Sequence, residues 1–189
     1  MTSYFEDKQF DSAEDLDHPF GDDMEFEKCL FQNFNLQELT AKNTRFIDCH
    51  FIHCNFSNAI FTNSSFKDVQ FENCKLLGIN WTSCKSISHL HFSRCFLDYS
   101  SFREMDLRLC HWDECEMKTL DFSQSNLANT RIIHCNLQDT AFHQTNLEKA
   151  DLTDSFNLHL DLRENKLKHA IISTSAALSI LETMGIKVI

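Results

Sequence analysis

Glycine and proline are scarce in this chain of 189 residues. It contains three Gly and one Pro, so the residues that ordinarily form turns and flexible linkers are nearly missing. No run of 18 apolar residues is present to span a bilayer, and Met1 to Phe20 lacks the basic and apolar character of an export signal. We therefore expect a single rod-like domain in the cytoplasm, whose turns come from its own repeating pattern.

Motifs for catalysis and for metal binding are also missing. The sequence contains no CxxC pair, no GxSxG, no Gly-rich phosphate loop and no HExxH. These absences exclude the common nucleophile, nucleotide and zinc signatures. We expect a protein that is not an enzyme and that has no cofactor.

Large apolar residues recur at every fifth position from Phe26 to Ile172, with one change of register. Of the 30 positions in this series, 27 hold a large apolar side chain, and the exceptions are Ala41, Ser86 and Asn157. On a helix, five residues turn the side chain by about 140°, and on a flat strand an odd spacing alternates the faces. The side chains can share one interior only when the backbone bends at each repeat, which predicts a solenoid of parallel coils about 4.8 Å apart.

The residue two before each apolar centre is usually small, and all nine cysteines occupy this position. Four repeats to a coil would place five of them in one internal column: Cys54, Cys74, Cys95, Cys115 and Cys135. Their sulfurs would then be separated by about the coil rise of 4.8 Å, which is too far for an S–S bond. The pattern favours reduced thiols that pack in the core over a disulfide or a zinc site.

The repeat unit is a small residue, then Asn or Asp, then Leu or Phe, then two variable residues, as in Cys54-Asn55-Phe56 and Ser125-Asn126-Leu127. The Asn and Asp side chains can bond to nearby backbone and stabilise turns. Over residues 26–172 this unit resembles that of the pentapeptide-repeat proteins. The resemblance implies an all-β, right-handed quadrilateral parallel β-helix with four repeats per coil and about seven and a half coils.

Three segments follow from this pattern. Residues 1–24 form an acidic N-terminal arm or partial cap, residues 25–172 the β-helix, and residues 173–189 a C-terminal helix and short strand. A one-residue register slip at 87–91 predicts a bulge or a small protruding corner, either a structural irregularity or a partner contact. Phe5 and Phe10 are five apart and fit a further coil in another register, so the arm is either a loosely held cover or an acidic arm that binds a partner.

The segment from Ser173 to Met184 drops the repeat and is typical of a helix, with Ser173 or Thr174 as N-cap and Gly185 as terminator. The ending from Ala177 to Ile189 resembles the C-terminal helix and short strand of the quinolone-resistance (Qnr) and microcin-immunity pentapeptide-repeat proteins. The resemblance implies a homodimer formed by the tail and a dimer that binds DNA gyrase or topoisomerase IV. The dimer residues would be Leu178, Ile180, Leu181, Met184, Ile186 and Val188.

Charge is distributed unevenly along the chain. The net charge is −11, of which residues 1–24 carry −7. The column of centres that contains Phe31 is flanked by acids and by two arginines, for a net −3, whereas the column that contains Phe26 has a net +2. We expect the outward residues beside the Phe31 column to form the partner-binding face. The alternative is an ordinary solvated surface. The acids of this face are Glu72, Asp113, Glu114, Asp151 and Asp154.

Duplex DNA carries about one charge per 1.7 Å, or roughly 20 along a rod of this length. The chain is therefore only a partial mimic of DNA. The sequence-based hypothesis is a non-enzymatic protein that binds a type II topoisomerase and confers protection or immunity, or inhibits the enzyme. The alternative is a scaffold with an unrelated protein partner.

Further expectations concern loops, metals and other partners. The rod lacks the long loops that many Qnr members use, which favours inhibition or protection against a narrow peptide toxin over broad quinolone resistance. His91 and His111 occupy equivalent sites in successive coils, but without a matching third ligand we expect no metal site. We expect no direct binding to nucleic acid and none to membranes.

Overall fold

The computed structural model describes residues 3–12, 15–16 and 19–188. They form a parallel β-helix of about eight coils followed by one helix, which confirms the predicted fold class. Each coil contributes to four faces. Of the described residues, no helix is both long and apolar enough to cross a bilayer.

The nine-strand face is the longest sheet and contains the Phe31 column. Its strands are β2 (Gln9–Phe10), β4 (Leu30–Gln32), β7 (His50–Ile52), β10 (Gln70–Glu72), β12 (His91–Ser93), β13 (His111–Asp113), β14 (Arg131–Ile133), β15 (Asp151–Leu152) and β16 (Ile171–Ile172). Neighbouring strands of this sheet are parallel and in register, for example with Phe71 opposite Phe51 and Phe92. One strand per coil therefore lies on this face.

The five-strand face contains the Phe26 column. Its strands are β1 (Ser3–Glu6), β3 (Met24–Glu27), β6 (Arg45–Ile47), β9 (Ser65–Lys67) and β11 (Ser86–Ser88). The two-strand face contains β5 (Thr40–Lys42) and β8 (Ile60–Thr62). The bridge face is held by single parallel bridges, such as Lys75 to Phe96 and Phe96 to Glu116.

Phenylalanine rings stack along the axis, as the repeat predicts. Phe31 and Phe51 have ring centroids 4.6 Å apart, Phe51 and Phe71 5.2 Å, and Phe71 and Phe92 5.2 Å, and all three pairs are close to parallel. These distances lie in the range in which aromatic rings attract. The rings are at most 2% exposed, so the ladder is core.

The nine cysteines are free thiols, and eight of them are buried. In the internal column, the thiols of Cys74 and Cys95 each donate to the backbone carbonyl of a residue in the preceding coil, Phe51 and Phe71 respectively. Burial raises the pKa of Cys84 to about 12 and that of Cys110 to about 11. Neutral thiols of this kind are poor nucleophiles.

The corners of the helix use a left-handed backbone. The second residue after nearly every centre has a positive φ, including Asn33 (59°), Asn58 (59°) and Thr119 (55°). Asn tolerates this conformation, whereas a β-branched Thr is strained in it. The Asn before the centre also contributes, because Asn55 Oδ1 accepts from the amide of Ser57 at 3.1 Å.

The extra residue lies earlier in the chain than the expected slip at 87–91. Ile87 pairs with Phe66 and is 8% exposed, so Ile87 and not Ser86 is the centre of this repeat. The extra residue is accommodated between Trp81 and Ser86, where a 3₁₀ turn covers Trp81–Ser83. Counting in fives placed the extra residue too late in the chain. The reason is that no large apolar residue lies between the centres Trp81 and Ile87 to show where the turn adds a residue.

The N-terminal segment supplies a coil. β1 pairs with β3 so that Phe5 lies opposite Phe26, and β2 pairs with β4 so that Phe10 lies opposite Phe31. Phe10 is 4% exposed and belongs to the core. Two of the arm's acids, Glu14 and Asp17, lie outside the described residues.

The last coil is irregular and is followed by the helix α1 (Thr174–Thr183). Leu162, expected as a centre, is 39% exposed, while Leu158 and Leu160 are buried. The Ser173 side chain accepts from the amide of Ala176 at 3.2 Å and caps the helix. Gly185 has a φ of +77° and follows its end, which is the left-handed conformation that terminates many helices. Residues 186–188, where a short strand was expected, have no strand assigned.

Candidate functional site

The five acids predicted as partner-binding residues all lie along the nine-strand face. Their side chains point outward because they stand beside or just after the buried centres Phe71, Trp112 and Leu152. Four coils separate Glu72 from Asp154, which is about 19 Å along the axis. The structure therefore brings the predicted residues onto one continuous surface, defined here as the acidic face: Glu72, Asp113, Glu114, Asp151 and Asp154.

An arginine links two acids at the N-terminal end of the acidic face. Arg94 Nη2 donates to Glu72 Oε1 at 2.6 Å, and Arg94 Nη1 lies 3.9 Å from Glu114 Oε2. His50 Nε2 is 3.5 Å from the other oxygen of Glu72. The negative charge of this part of the face is thus partly neutralised within the chain.

A histidine links two acids nearer the C-terminal end of the same face. His134 Nδ1 is 3.1 Å from Asp113 Oδ1, and His134 Nε2 is 3.7 Å from Asp154 Oδ2. The hydrogen bond that the His134 ring donates to Asp113 raises the pKa of His134, and the charges of Asp113, Asp154 and Glu114 act in the same direction. The charge of the acidic face therefore depends on the protonation of this ring.

Asp151 has a different role from the other four acids. Its Oδ1 accepts from the amide of Thr153 at 3.0 Å and so forms the local turn. Its Oδ2 lies 3.9 Å from Arg131 Nε. Sequence reasoning identified the two arginines as opposing charges but missed the linking role of His134, because that contact joins residues 21 positions apart.

His91 and His111 lie on the same face, directly opposite one another in the adjacent strands β12 and β13. Their ring centroids are 6.0 Å apart and their planes are perpendicular. Burial lowers the pKa of His111, and the nearby His91 and Arg131 lower it further. Within residues 3–12, 15–16 and 19–188, no group of three His, Cys, Asp or Glu side chains is placed to hold a metal ion.

The two histidines predict opposite effects of pH on stability. A raised folded-state pKa at His134 stabilises the fold below its unfolded pKa of about 6.5, and this contribution is lost as the pH rises through the folded value. A lowered pKa at His111 gives a contribution that is present above about 6.5 and is lost as the pH falls. We expect His134→Gln to destabilise most near pH 5 to 6 and His111→Gln to become relatively more stable there.

Urea unfolding of the two variants and of the parent chain between about pH 5 and about pH 8 measures this effect. Each variant serves as the control for the other, since both lose one imidazole from the same face. Parallel pH profiles for the two variants would contradict the assignment.

The predicted dimer residues divide into exposed and internal ones. Leu178, Met184, Ile186 and Val188 are 39–47% exposed and form the tail patch. Leu181 is half-buried. Ile180 is 2% exposed and lines an apolar cavity of about 120 Å³ together with Leu160, Leu162, Leu167, Ala170 and Ile172. Ile180 therefore anchors the helix to the last coil and does not belong to the exposed surface.

Comparison with solved structures gives likenesses over all or most of the chain. A trypsin-treated variant of QnrB1, a plasmid-mediated fluoroquinolone resistance protein, matches with a TM-score of 0.66 and 18% identity, covering 100% of both chains. HetL, a pentapeptide repeat protein involved in heterocyst differentiation regulation from the cyanobacterium Nostoc, matches with a TM-score of 0.34 and 14% identity, over 89% of this chain and 82% of its own. At such identities the first likeness concerns the fold alone.

Comparison with sequence-family models identifies the family of this chain, whereas comparison with curated proteins gives no match. The family model described as Pentapeptide repeat region matches residues 24–102, and the model described as Pentapeptide repeats (8 copies) matches residues 119–155. Together they match more than half of the sequence, and the chain belongs to the pentapeptide-repeat family.

Proposed function

We propose that this protein is a non-enzymatic binding protein of a type II topoisomerase, either DNA gyrase or topoisomerase IV. It acts from the cytoplasm as a homodimer, through partial mimicry of DNA, and either protects the enzyme from a poison or inhibits it. The observation that carries the proposal is the alignment of five acids along one uninterrupted nine-strand sheet. The full-length likeness to a fluoroquinolone resistance protein supports it at the level of the fold.

The charges of the acidic face limit what mimicry can contribute. Over about 19 Å, duplex DNA presents roughly 11 phosphates, whereas this face presents five acids, and Arg94, Arg131 and His134 contact them. For a basic DNA-binding groove on the topoisomerase, these acids would contribute to the association rate and to orientation more than to affinity. Shape and apolar contact must therefore supply most of the binding free energy.

The tail patch supports the homodimer. Its four apolar side chains belong to the segment that follows the last coil, and Ile171 on the edge strand β16 of that coil is also 56% exposed. Unpaired edge strands and apolar patches are typical association surfaces. An isologous contact between two tails would double the length of the acidic surface.

A gyrase supercoiling assay, with and without a fluoroquinolone, tests the proposal directly. The informative variant reverses Asp113, Glu114, Asp151 and Asp154 to Lys. The matched control reverses four acids on other surfaces: Glu38, Glu104, Asp139 and Glu148. We expect the acidic-face variant to lose about tenfold or more in gyrase binding and the control to lose less than about twofold.

Circular dichroism of both variants must show the parental fold for this comparison to hold. Unchanged gyrase binding by the acidic-face variant would reject the acidic face as the contact. Failure of the parent protein to bind gyrase or topoisomerase IV, or to alter supercoiling at any concentration, would reject the topoisomerase role itself.

A scaffold with an unrelated protein partner is the second candidate function. It is favoured by exposed aromatic side chains on or beside the bridge face, where Phe96 is 46%, Tyr99 70% and Phe156 50% exposed. Aromatic side chains are enriched in the centres of protein interfaces. Loss of partner capture on changing Phe96 and Phe156 to Ser, with the acidic face intact, would favour this candidate.

A further inference from the structure

A basic groove runs along the corner between the two-strand face and the five-strand face. Its volume is about 420 Å³, and its polar lining consists of Asn43, Arg45, Asn63, Ser65, Lys67, Lys85 and Ser86. The three cations come from three successive coils and span about 10 Å along the axis. The groove lies on a different face from the acidic face and is independent of the proposed topoisomerase contact.

The irregular coil builds this groove. Ser86 pairs with Ser65 in register, yet the amide of Lys85 donates to Ser64 O at 2.8 Å, so Lys85 and Ser86 both oppose one residue of β9. This is the arrangement of a β-bulge, which turns a side chain out of its regular direction. In the two preceding coils, the residue two before the centre is Thr44 or Ser64, and both are fully buried. At the bulge the corresponding position is Lys85, which is exposed.

The groove has no carboxylate in its lining. Arg45 Nη1 is 3.2 Å from Glu25 Oε2, and Lys67 Nζ is 3.9 Å from Asp68 Oδ2, but both acids lie outside the lining. For Lys85, no carboxylate of the described residues lies within 4.0 Å.

Two other surface grooves differ in this respect. In the groove next to the bulge, Arg108 Nη2 is 2.6 Å from Asp106 Oδ2, and both residues belong to the lining. In the groove beside the last coil, Arg163 is paired with Asp161 in the same way. Of the three cations in this groove, only Lys85 has no carboxylate partner among the described residues, and the acids that pair with Arg45 and Lys67 lie outside the lining. In the other two grooves the paired acid is itself part of the lining.

We propose that this groove binds a small phosphate-bearing ligand of the diphosphate or triphosphate class. A guanidinium, two ammonium groups, amides and hydroxyls are the donor set that proteins use for phosphate oxygens. The volume suits a small molecule. Duplex nucleic acid is disfavoured because the chain carries a net charge of −11 and repels a long polyanion.

Isothermal titration calorimetry with sodium tripolyphosphate tests the site. We expect saturable binding of one ligand per chain, weakened about tenfold or more by Lys85→Gln combined with Lys67→Gln, since each charge-assisted hydrogen bond contributes substantially. The matched control is Arg108→Gln together with Lys149→Gln, which removes two cations from the same face outside the groove. It should change the affinity by less than about twofold.

A nucleoside triphosphate distinguishes the source of the phosphate. Equal affinities for tripolyphosphate and for a nucleoside triphosphate support recognition of the phosphate chain alone, and tighter binding of the nucleotide supports a nucleotide ligand. The absence of saturable binding, equal losses in the groove and control variants, or binding of a poly-Glu peptide but not of tripolyphosphate would each overturn the proposal. Thermal unfolding of all variants verifies that the fold is retained.

Discussion

Replacing Phe51 with alanine is expected to lower the free energy of unfolding by about 3–5 kcal/mol. The ring is fully buried and stacks between Phe31 at 4.6 Å and Phe71 at 5.2 Å. It also contacts Phe56 edge to face at 5.2 Å. The substitution removes the apolar transfer energy of the ring and leaves a cavity that rigid neighbouring coils cannot fill.

The matched control is Phe96→Ala, which deletes the same ring from an exposed position. Phe96 is 46% exposed, so its loss should change the free energy of unfolding by no more than about 0.5–1 kcal/mol. Guanidinium chloride unfolding followed by circular dichroism measures both. Similar losses for the two variants would mean that the Phe ladder is not the main apolar core.

Changing Met184 and Ile186 to Asp is expected to convert the proposed dimer into a monomer. Both side chains are exposed, at 41% and 47%, in the tail patch. Burying each in a dimer contributes about 1.5–3 kcal/mol, and burying an unpaired carboxylate there is costly. The dissociation constant of the dimer should therefore rise by at least about 100-fold.

Analytical ultracentrifugation over a range of concentrations measures this change. The control is Tyr99→Asp with Leu109→Asp, which places the same charges at positions 70% and 53% exposed and far from the tail. The control should remain dimeric. A parent chain that is monomeric at all concentrations, or a tail variant that stays dimeric, would reject the tail patch as the dimer interface.

Local composition predicted the inward positions well. Phe26, Phe46 and Leu107 are fully buried, as their fivefold spacing requires. Each repeat buries its own apolar residue against adjacent coils only, so local sequence carries nearly all the information that its packing needs. The small residues before the centres follow the same logic, since Thr44, Cys54 and Ser64 are at most 1% exposed.

Irregular segments were predicted less well. The extra residue lies before Ile87 and not after it, and Leu160 is buried near the position where Leu162 was expected. At the slip, counting in fives selected Ser86 although the adjacent Ile87 is the apolar residue, and in the last coil Leu160 and Leu162 satisfy the pattern almost equally. Hydrogen bonds between coils then decide which residue points inward, and most of these bonds join residues 19 or 21 positions apart.

For the candidate site, the sequence predicted the positions of the acids but not their contacts. The acids of the nine-strand face were identified from their distance to the centres, but their ion pairs were not. Arg94 contacts both Glu72 and Glu114, and His134 contacts both Asp113 and Asp154. Long side chains reach across one coil in either direction, so their rotamers and not their sequence positions select the partner.

By itself, the sequence determined a rod of parallel coils with one dry interior, because a fivefold apolar period has no other way to bury its side chains. It also determined which face carries the acids. Only the tertiary structure decided that Lys85 turns outward beside Lys67, that Ile180 faces the last coil and leaves the tail patch to its neighbours, and that residues 3–10 complete a coil. Each of these depends on hydrogen bonding and packing between successive coils, which a periodic pattern along one chain does not specify.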